Sequence, residues 1–103
     1  MDFTIKERIQ ATEILPKQYS LDEYYIKREI LSKLAFSEDE QNKLGIRISL
    51  AGIIWNEVHN PDIFDIQLTE KEIDFLKESA RTLDKNKQIN DLVVSFCERL
   101  LGA

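Results

Sequence analysis

The sequence predicts an α+β fold of about five helices flanking a small antiparallel β-hairpin. Two observations support this class. Four segments begin with Ser or Thr followed three positions later by Glu, the spacing of a helix capping box: Thr4/Glu7, Ser20/Glu23, Ser37/Glu40 and Thr69/Glu72. Between the third and fourth of these segments the apolar residues recur at every second position, as in a strand. A length of 103 residues predicts a single domain over 1–103.

The helices are predicted from these starts and from the signals that end them. Pro16 ends the first helix, Gly45 ends the third and Gly102 follows the last. Tyr19 and Tyr24 flank the second start at the spacing of a hydrophobic staple. The predicted helices span residues 5–14, 21–35, 38–44, 70–84 and 91–101.

The strands are predicted from alternation. Ile46, Ile48 and Leu50 alternate with polar residues, which is typical of a half-buried strand. Ala51-Gly52 supplies a turn, and residues 53–55 return as the second strand of the hairpin. Alternation over 64–68 predicts a short third strand. Three helices followed by a hairpin give the first half the element order of a winged helix.

The net charge of −5 lies entirely in the middle third of the chain. Residues 36–70 hold seven acids and two bases, whereas the two outer thirds are balanced. Six of these acids form a candidate acidic patch: Glu38, Asp39, Glu40, Glu57, Asp62 and Asp65. The patch is either a solvated surface or an attraction for a basic protein partner. Its sign argues against direct binding of nucleic acid, because phosphates would be repelled.

Residues that carry chemistry are few, and we expect neither an enzyme nor a cofactor. The three glycines are isolated, so no Gly-rich phosphate loop exists. Cys97 lies within the apolar face of the last helix and is predicted to be a small buried hydrophobe. His59, the only histidine, precedes Asp62 and Asp65 at three-residue spacing. A metal site there would rest on a proline turn, so we predict an exposed loop histidine and no metal.

Three places are candidate protein-interaction sites. Apolar residues of the last helix spread over about 200° of its circumference, at about 100° per residue. Either this helix is central to the core, or its edge, with Val94 and Leu101, meets another chain. Tyr25 and Arg28 share a second face of the second helix. Either this pairing forms a binding hot spot, or Tyr25 lies along its own domain with its hydroxyl in water, which is the commoner arrangement. Trp55 either anchors the core or forms the centre of a docking surface.

Several short stretches resemble small uncharacterised proteins encoded by bacteriophages and prophages. They are Ile14-Leu15-Pro16, Phe36-Ser37-Glu38-Asp39-Glu40, Ile54-Trp55-Asn56, Leu68-Thr69-Glu70-Lys71-Glu72-Ile73 and Leu83-Asp84. The matching positions are caps, predicted core residues and one Trp, so the resemblance implies no catalytic role. It implies a small intracellular protein from a phage-derived region.

Three functional hypotheses follow. The first is a non-enzymatic, cytoplasmic protein-interaction module that forms a homo-oligomer and contacts no membrane. Charged residues throughout positions 1–14 and the lack of a long apolar run are the basis for expecting no signal peptide and no membrane span. The alternative is an acidic inhibitor whose carboxylates mimic nucleic-acid phosphates and block a basic host protein. The third is a small enzyme or metal protein that uses His59.

Overall fold

The computed structural model describes residues 1–102 and confirms the α+β class. Five helices accompany two small antiparallel strand pairs. In chain order the elements are β1 (Asp2–Phe3), α1 (Ile5–Glu13), α2 (Leu21–Leu34), α3 (Glu38–Leu44), β2 (Arg47–Ser49), β3 (Gly52–Ile54), a 3₁₀ turn (Glu57–His59), β4 (Phe64–Asp65), α4 (Glu70–Lys85) and α5 (Val94–Leu101).

All four predicted capping boxes are present and fix the starts of α1 to α4. In each box the hydroxyl oxygen accepts the amide of the third helical residue, and that residue's carboxylate accepts the amide of the cap. The predicted staple at the start of α2 is confirmed by the stacked rings of Tyr19 and Tyr24, whose centroids lie 6.0 Å apart. Gly45 ends α3 in the left-handed conformation at φ 68°, with the backbone of Asn56 close by.

The core consists of a main cluster between the long helices and a smaller one beneath the hairpin. The main cluster contains Phe3, Ala11, Ile14, Leu15, Ile30, Leu34, Leu76, Ala80, Val93, Phe96, Cys97 and Leu100. In the smaller cluster Ile5, Leu44 and Ile46 are buried, and Trp55 and Phe64 pack against them. Four helices, α1, α2, α4 and α5, therefore surround the first cluster, while the second joins α1 to the base of the hairpin.

Three capping glutamates also form ion pairs with a base from another helix. Glu7 of α1 accepts from Arg99 of α5 at 2.7 Å, and Glu72 of α4 accepts from Lys33 of α2 at 2.6 Å. Glu40 of α3 accepts from Arg8 of α1 at 2.8 Å. Each of these carboxylates therefore fixes a helix start and the position of that start relative to a second helix. We call these three pairs the capping clamps.

Arg8 is the most buried charged residue of the described chain and joins three helices. Its Nε donates to the carbonyl of Leu34 at 3.1 Å, and its Nη2 donates to the carbonyl of Ala35 at 2.7 Å. Both carbonyls lie at the end of α2, where helical carbonyls lack internal partners. The guanidinium also lies over the ring of Phe36, 3.9 Å from its centroid. Its charge is thus neutralised by Glu40 and its donors are satisfied.

Two predictions about the elements need correction. The predicted third strand is the short β4, and it pairs with β1 at the N-terminus instead of with the hairpin, in the register Phe3↔Phe64. The last helix begins at Val94 and not at residue 91. Residues 91–93 form a turn because the side-chain oxygen of Asn90 accepts the amide of Leu92 and its carbonyl accepts the amides of Val93 and Val94.

Candidate protein-interaction surfaces

The β2–β3 hairpin is the most exposed apolar part of the molecule. Its strands pair in the register Ile48↔Ile53, and all six strand residues are exposed. Ile48 is 74% exposed, Ile54 60%, and Leu50, in the turn, 111%. The alternation predicted that Ile46, Ile48 and Leu50 form a half-buried face. Of these three residues only Ile46 is buried, so the prediction is wrong for the other two. The alternation is real, but the six strand residues remain exposed in the described chain, Ile53 being the most covered of the isoleucines at 37%.

The hairpin also presents open strand edges. Within residues 1–102, β2 and β3 pair only with each other, so each has an outer row of backbone N–H and C=O groups without a strand partner. The turn falls at Leu50-Ala51, one position before the predicted turn, and Gly52 follows it at φ 127°. An isolated two-stranded hairpin is at best marginally stable in water. These features together are typical of a segment that is completed by another polypeptide.

Trp55 lies at the base of the hairpin, half-buried. One side of the indole packs against the smaller core cluster, and its Nε1–H donates to Oδ1 of Asn60 at 2.6 Å. It thus holds the hairpin's base to the body while leaving part of the ring in solvent. The candidate docking role of Trp55 depends on that remaining exposed area.

The last helix belongs mainly to the core. Phe96, Cys97 and Leu100, at the centre of its apolar arc, are buried. Of the two candidate interface residues, Leu101 is half-buried against the main cluster and Val94 is 38% exposed. The wide apolar arc of the last helix is therefore explained mainly by packing against the main cluster. The Cys97 side chain is buried, as predicted, and burial raises the pKa of its thiol, assisted by the negative charge of Asp84, which disfavours the reactive thiolate.

Tyr25 and Arg28 form an exposed aromatic surface at the start of α2. The Arg28 guanidinium lies 5.3 Å from the centroid of the Tyr25 ring and 5.7 Å from that of Tyr24. Tyr25 is 48% exposed, and the adjacent Leu21 is more exposed still. The two predicted residues are thus brought together, and the tyrosines add apolar area next to a positive charge.

The six candidate acids do not form one free patch. Glu40 is paired with Arg8, Asp62 accepts from Nδ1 of His59 at 2.8 Å, and Asp65 lies 3.5 Å from the N-terminal ammonium. Glu38, Asp39 and Glu57 are exposed and have no ion pair within residues 1–102. Half of the patch thus has an internal structural role, which reduces the negative charge available to a partner.

His59, at the end of the 3₁₀ turn, contacts Asp62 just after it, but a metal centre does not follow. In the part of the chain that the structure describes, no three His, Cys, Asp or Glu side chains are grouped closely enough to hold a metal ion. His59 is half-buried, not fully exposed as predicted. No helix among residues 1–102 combines the length and apolar composition that crossing a membrane requires.

A cleft of about 1030 Å³ separates the end of α1 and the α1–α2 connection from α4. Its floor is apolar and includes Ile14, Leu15 and Phe75, and Leu92 stands at one end, 72% exposed. Four acids and two bases line it: Glu13, Glu23, Asp74, Glu78, Lys17 and Lys71. This cleft could not be predicted from the sequence, because its lining residues come from 13–26, 71–83 and 88–93 and only the fold brings the first of these segments beside the other two.

Comparison with known proteins identifies no relative. No family model matches the chain, and neither a curated protein nor a solved structure matches it. The function is therefore argued from the surfaces themselves.

Proposed function

We propose that this chain is a non-enzymatic protein-interaction module that self-associates through the β2–β3 hairpin. The observation that carries the proposal is the exposure of four aliphatic side chains on one short segment: Ile48, Leu50, Ile53 and Ile54. Contiguous exposed apolar surface of this kind marks interaction sites in folded proteins. The proposal keeps the predicted self-association and moves its main contact from the last helix to the hairpin.

The magnitudes are consistent with a stable pair of copies. Full burial of one fully exposed Leu or Ile side chain contributes about 1.5–3 kcal/mol. Leu50 and Ile48 can gain most of this value, whereas Ile54 and above all Ile53, which is only 37% exposed, gain less, and a dimer makes each gain twice. The loss of translational and rotational freedom on association costs about 4–15 kcal/mol. The gain is of the same order as the cost, so the hairpin is large enough to contribute most of the association free energy.

The test is the mass in solution by light scattering over a tenfold range of concentration, at low and high salt. We expect a dimer at both salt concentrations, because apolar contacts are not screened. Leu50→Asp should give a monomer, and at a dilution where the native chain is also monomeric the two unfolding midpoints should agree, since the side chain is fully exposed in the isolated chain. Ile63→Asp, which introduces the same charge at a 60% exposed site outside the hairpin, should remain dimeric. A monomeric native chain at all concentrations would refute the proposal.

The acidic inhibitor remains the second candidate, supported by Glu38, Asp39 and Glu57, the three acids of the patch without internal ion pairs. It requires a basic protein partner and a complex that weakens steeply with salt. The resemblance to phage and prophage proteins supports either function in the cytoplasm, where a single thiol such as Cys97 stays reduced.

A further inference from the structure

Two features of the surface match each other in chemistry. Ile48 and Ile53 lie opposite each other on one face of the hairpin, and Ile54 is paired with Arg47 on the other face, so each face presents at least one exposed isoleucine. The cleft between α1 and α4 has an apolar floor and two walls. Its volume of about 1030 Å³ lies at the upper end for ligand sites, so it has room for several aliphatic side chains.

The charges of the two features are also complementary. The only charged residue over positions 46–54 is Arg47, so the hairpin carries a positive charge and no acid. The cleft is lined by four acids and two bases, and is therefore negative. Among the acids, Glu13 and Asp74 have no ion-pair partner within residues 1–102. An arginine entering with the hairpin would find a free carboxylate at the rim.

We infer that the hairpin of one copy inserts into the α1–α4 cleft of a second copy, and that the exchange is reciprocal. This inference rests on the proposed self-association and names the surface that receives the hairpin. Reciprocal insertion gives a closed dimer with two identical contacts, each made of one hairpin and one cleft. It covers both the exposed hairpin and the cleft with a single arrangement.

Insertion explains the exposed side chains better than edge-to-edge pairing of two hairpins. Pairing along the edges would satisfy backbone N–H and C=O groups, but side chains stand roughly perpendicular to the sheet. Ile48 and Ile53 on one face and Ile54 on the other would therefore stay in water. A cleft with two walls contacts both faces at once, and the protruding Leu50 would reach its floor.

The experiment mixes two variants that are each defective in one half of the contact. The hairpin variant is Leu50→Asp, and the cleft variant is Asp74→Lys with Leu92→Lys, both exposed positions. At a concentration where the native chain is a dimer, each variant alone should be monomeric, with dimer affinity lowered at least tenfold. An equimolar mixture should recover dimers by light scattering and native mass spectrometry, because one intact hairpin then meets one intact cleft.

A control variant is included, and the possible outcomes distinguish a failure of this inference from a failure of the proposed function. Glu29→Lys with Ile63→Lys makes the same charge change at exposed positions outside both features and should stay dimeric. A dimeric cleft variant, as edge-to-edge pairing of hairpins predicts, or a mixture that recovers no dimer would overturn the inference and leave the proposed self-association intact. A solution mass that keeps rising above that of a dimer as the concentration increases would indicate open-ended assembly, and would overturn the closed, reciprocal dimer. A monomeric native chain would overturn the proposed function as well.

Discussion

The helical body and the hairpin contain the same kinds of aliphatic residue in opposite situations. Ile30 of α2 is fully buried between helices, whereas Ile48 of β2 is 74% exposed. The body is closed by contacts among α1, α2, α4 and α5, while β2 and β3 have only each other within residues 1–102. An aliphatic side chain is stabilised when another surface covers it. Within residues 1–102 the side chains of the hairpin remain exposed, whereas those in the core of the body are covered.

The two regions also differ in how their elements are anchored. Three helices of the body begin at capping clamps, in which one carboxylate binds its own helix start and a base of another helix. The hairpin is anchored only at its base, through buried Ile46 and half-buried Trp55. The body is thus fixed by polar contacts in addition to its core, and the hairpin is free to make contacts elsewhere.

The largest expected effect contrasts the same substitution in the two regions. Ile30→Ala should lower the free energy of unfolding by about 2–5 kcal/mol, because it leaves a cavity in the main cluster. Ile48→Ala should change the unfolding of the monomer by less than about 0.5 kcal/mol, since the side chain has few contacts to lose. Urea unfolding, measured at a concentration where the chain is monomeric, checks both. Equal losses would mean that the hairpin folds back onto the body.

The next effect comes from the buried arginine of the body. Arg8→Ala should cost about 2 kcal/mol, because two carbonyls at the end of α2 and the carboxylate of Glu40 lose a charged donor. Arg28→Ala, at an exposed arginine whose guanidinium lies near the rings of Tyr24 and Tyr25, is the control and should cost less than about 0.5 kcal/mol. Chemical unfolding of both variants provides the comparison, and indistinguishable midpoints would show that Arg8 does not hold the helices together.

A smaller effect tests the capping clamps by pH. Burial alone would raise the pKa of Glu72, but the hydrogen bonds from Lys33 and the cap amide outweigh it and lower this pKa below its usual 4.5. The Arg8 hydrogen bond likewise lowers the pKa of Glu40. A lowered pKa stabilises the fold above the unfolded value, and this stabilisation is lost as the pH falls through the folded value. The protein should therefore lose stability progressively below about pH 4.5.

Glu72→Gln isolates one clamp. It keeps an oxygen for the cap amide but removes the charge that pairs with Lys33, so we expect a loss of about 1 kcal/mol at pH 7. The difference from the native chain should shrink as the pH falls from 5 to about 3. Glu23→Gln changes a capping box that no base of another element reaches in residues 1–102, and it should cost less. A constant difference across this pH range would contradict the role of the clamp.

The sequence by itself determined the local structure of the helices. A capping box is satisfied by atoms three residues apart, so Thr4/Glu7 and Thr69/Glu72 were readable without any knowledge of the fold. The α+β class and the existence of the hairpin followed from hydrophobic periodicity, which is also a local property. The start of the last helix was predicted too early because asparagine is favoured in turns as well as at helix caps. Here Asn90 forms a turn, and the helix begins only at Val94.

Only the tertiary structure decided which surfaces are covered. The pairing of β1 with β4, the second contact of each clamp glutamate and the cleft beside α4 all join residues far apart in sequence. Alternation showed that Ile48 and Leu50 share a pattern, but it carried no information on whether another element lies above them. Burial depends on the arrangement of the whole chain, and here it leaves an apolar hairpin whose covering surface we propose to be a second copy.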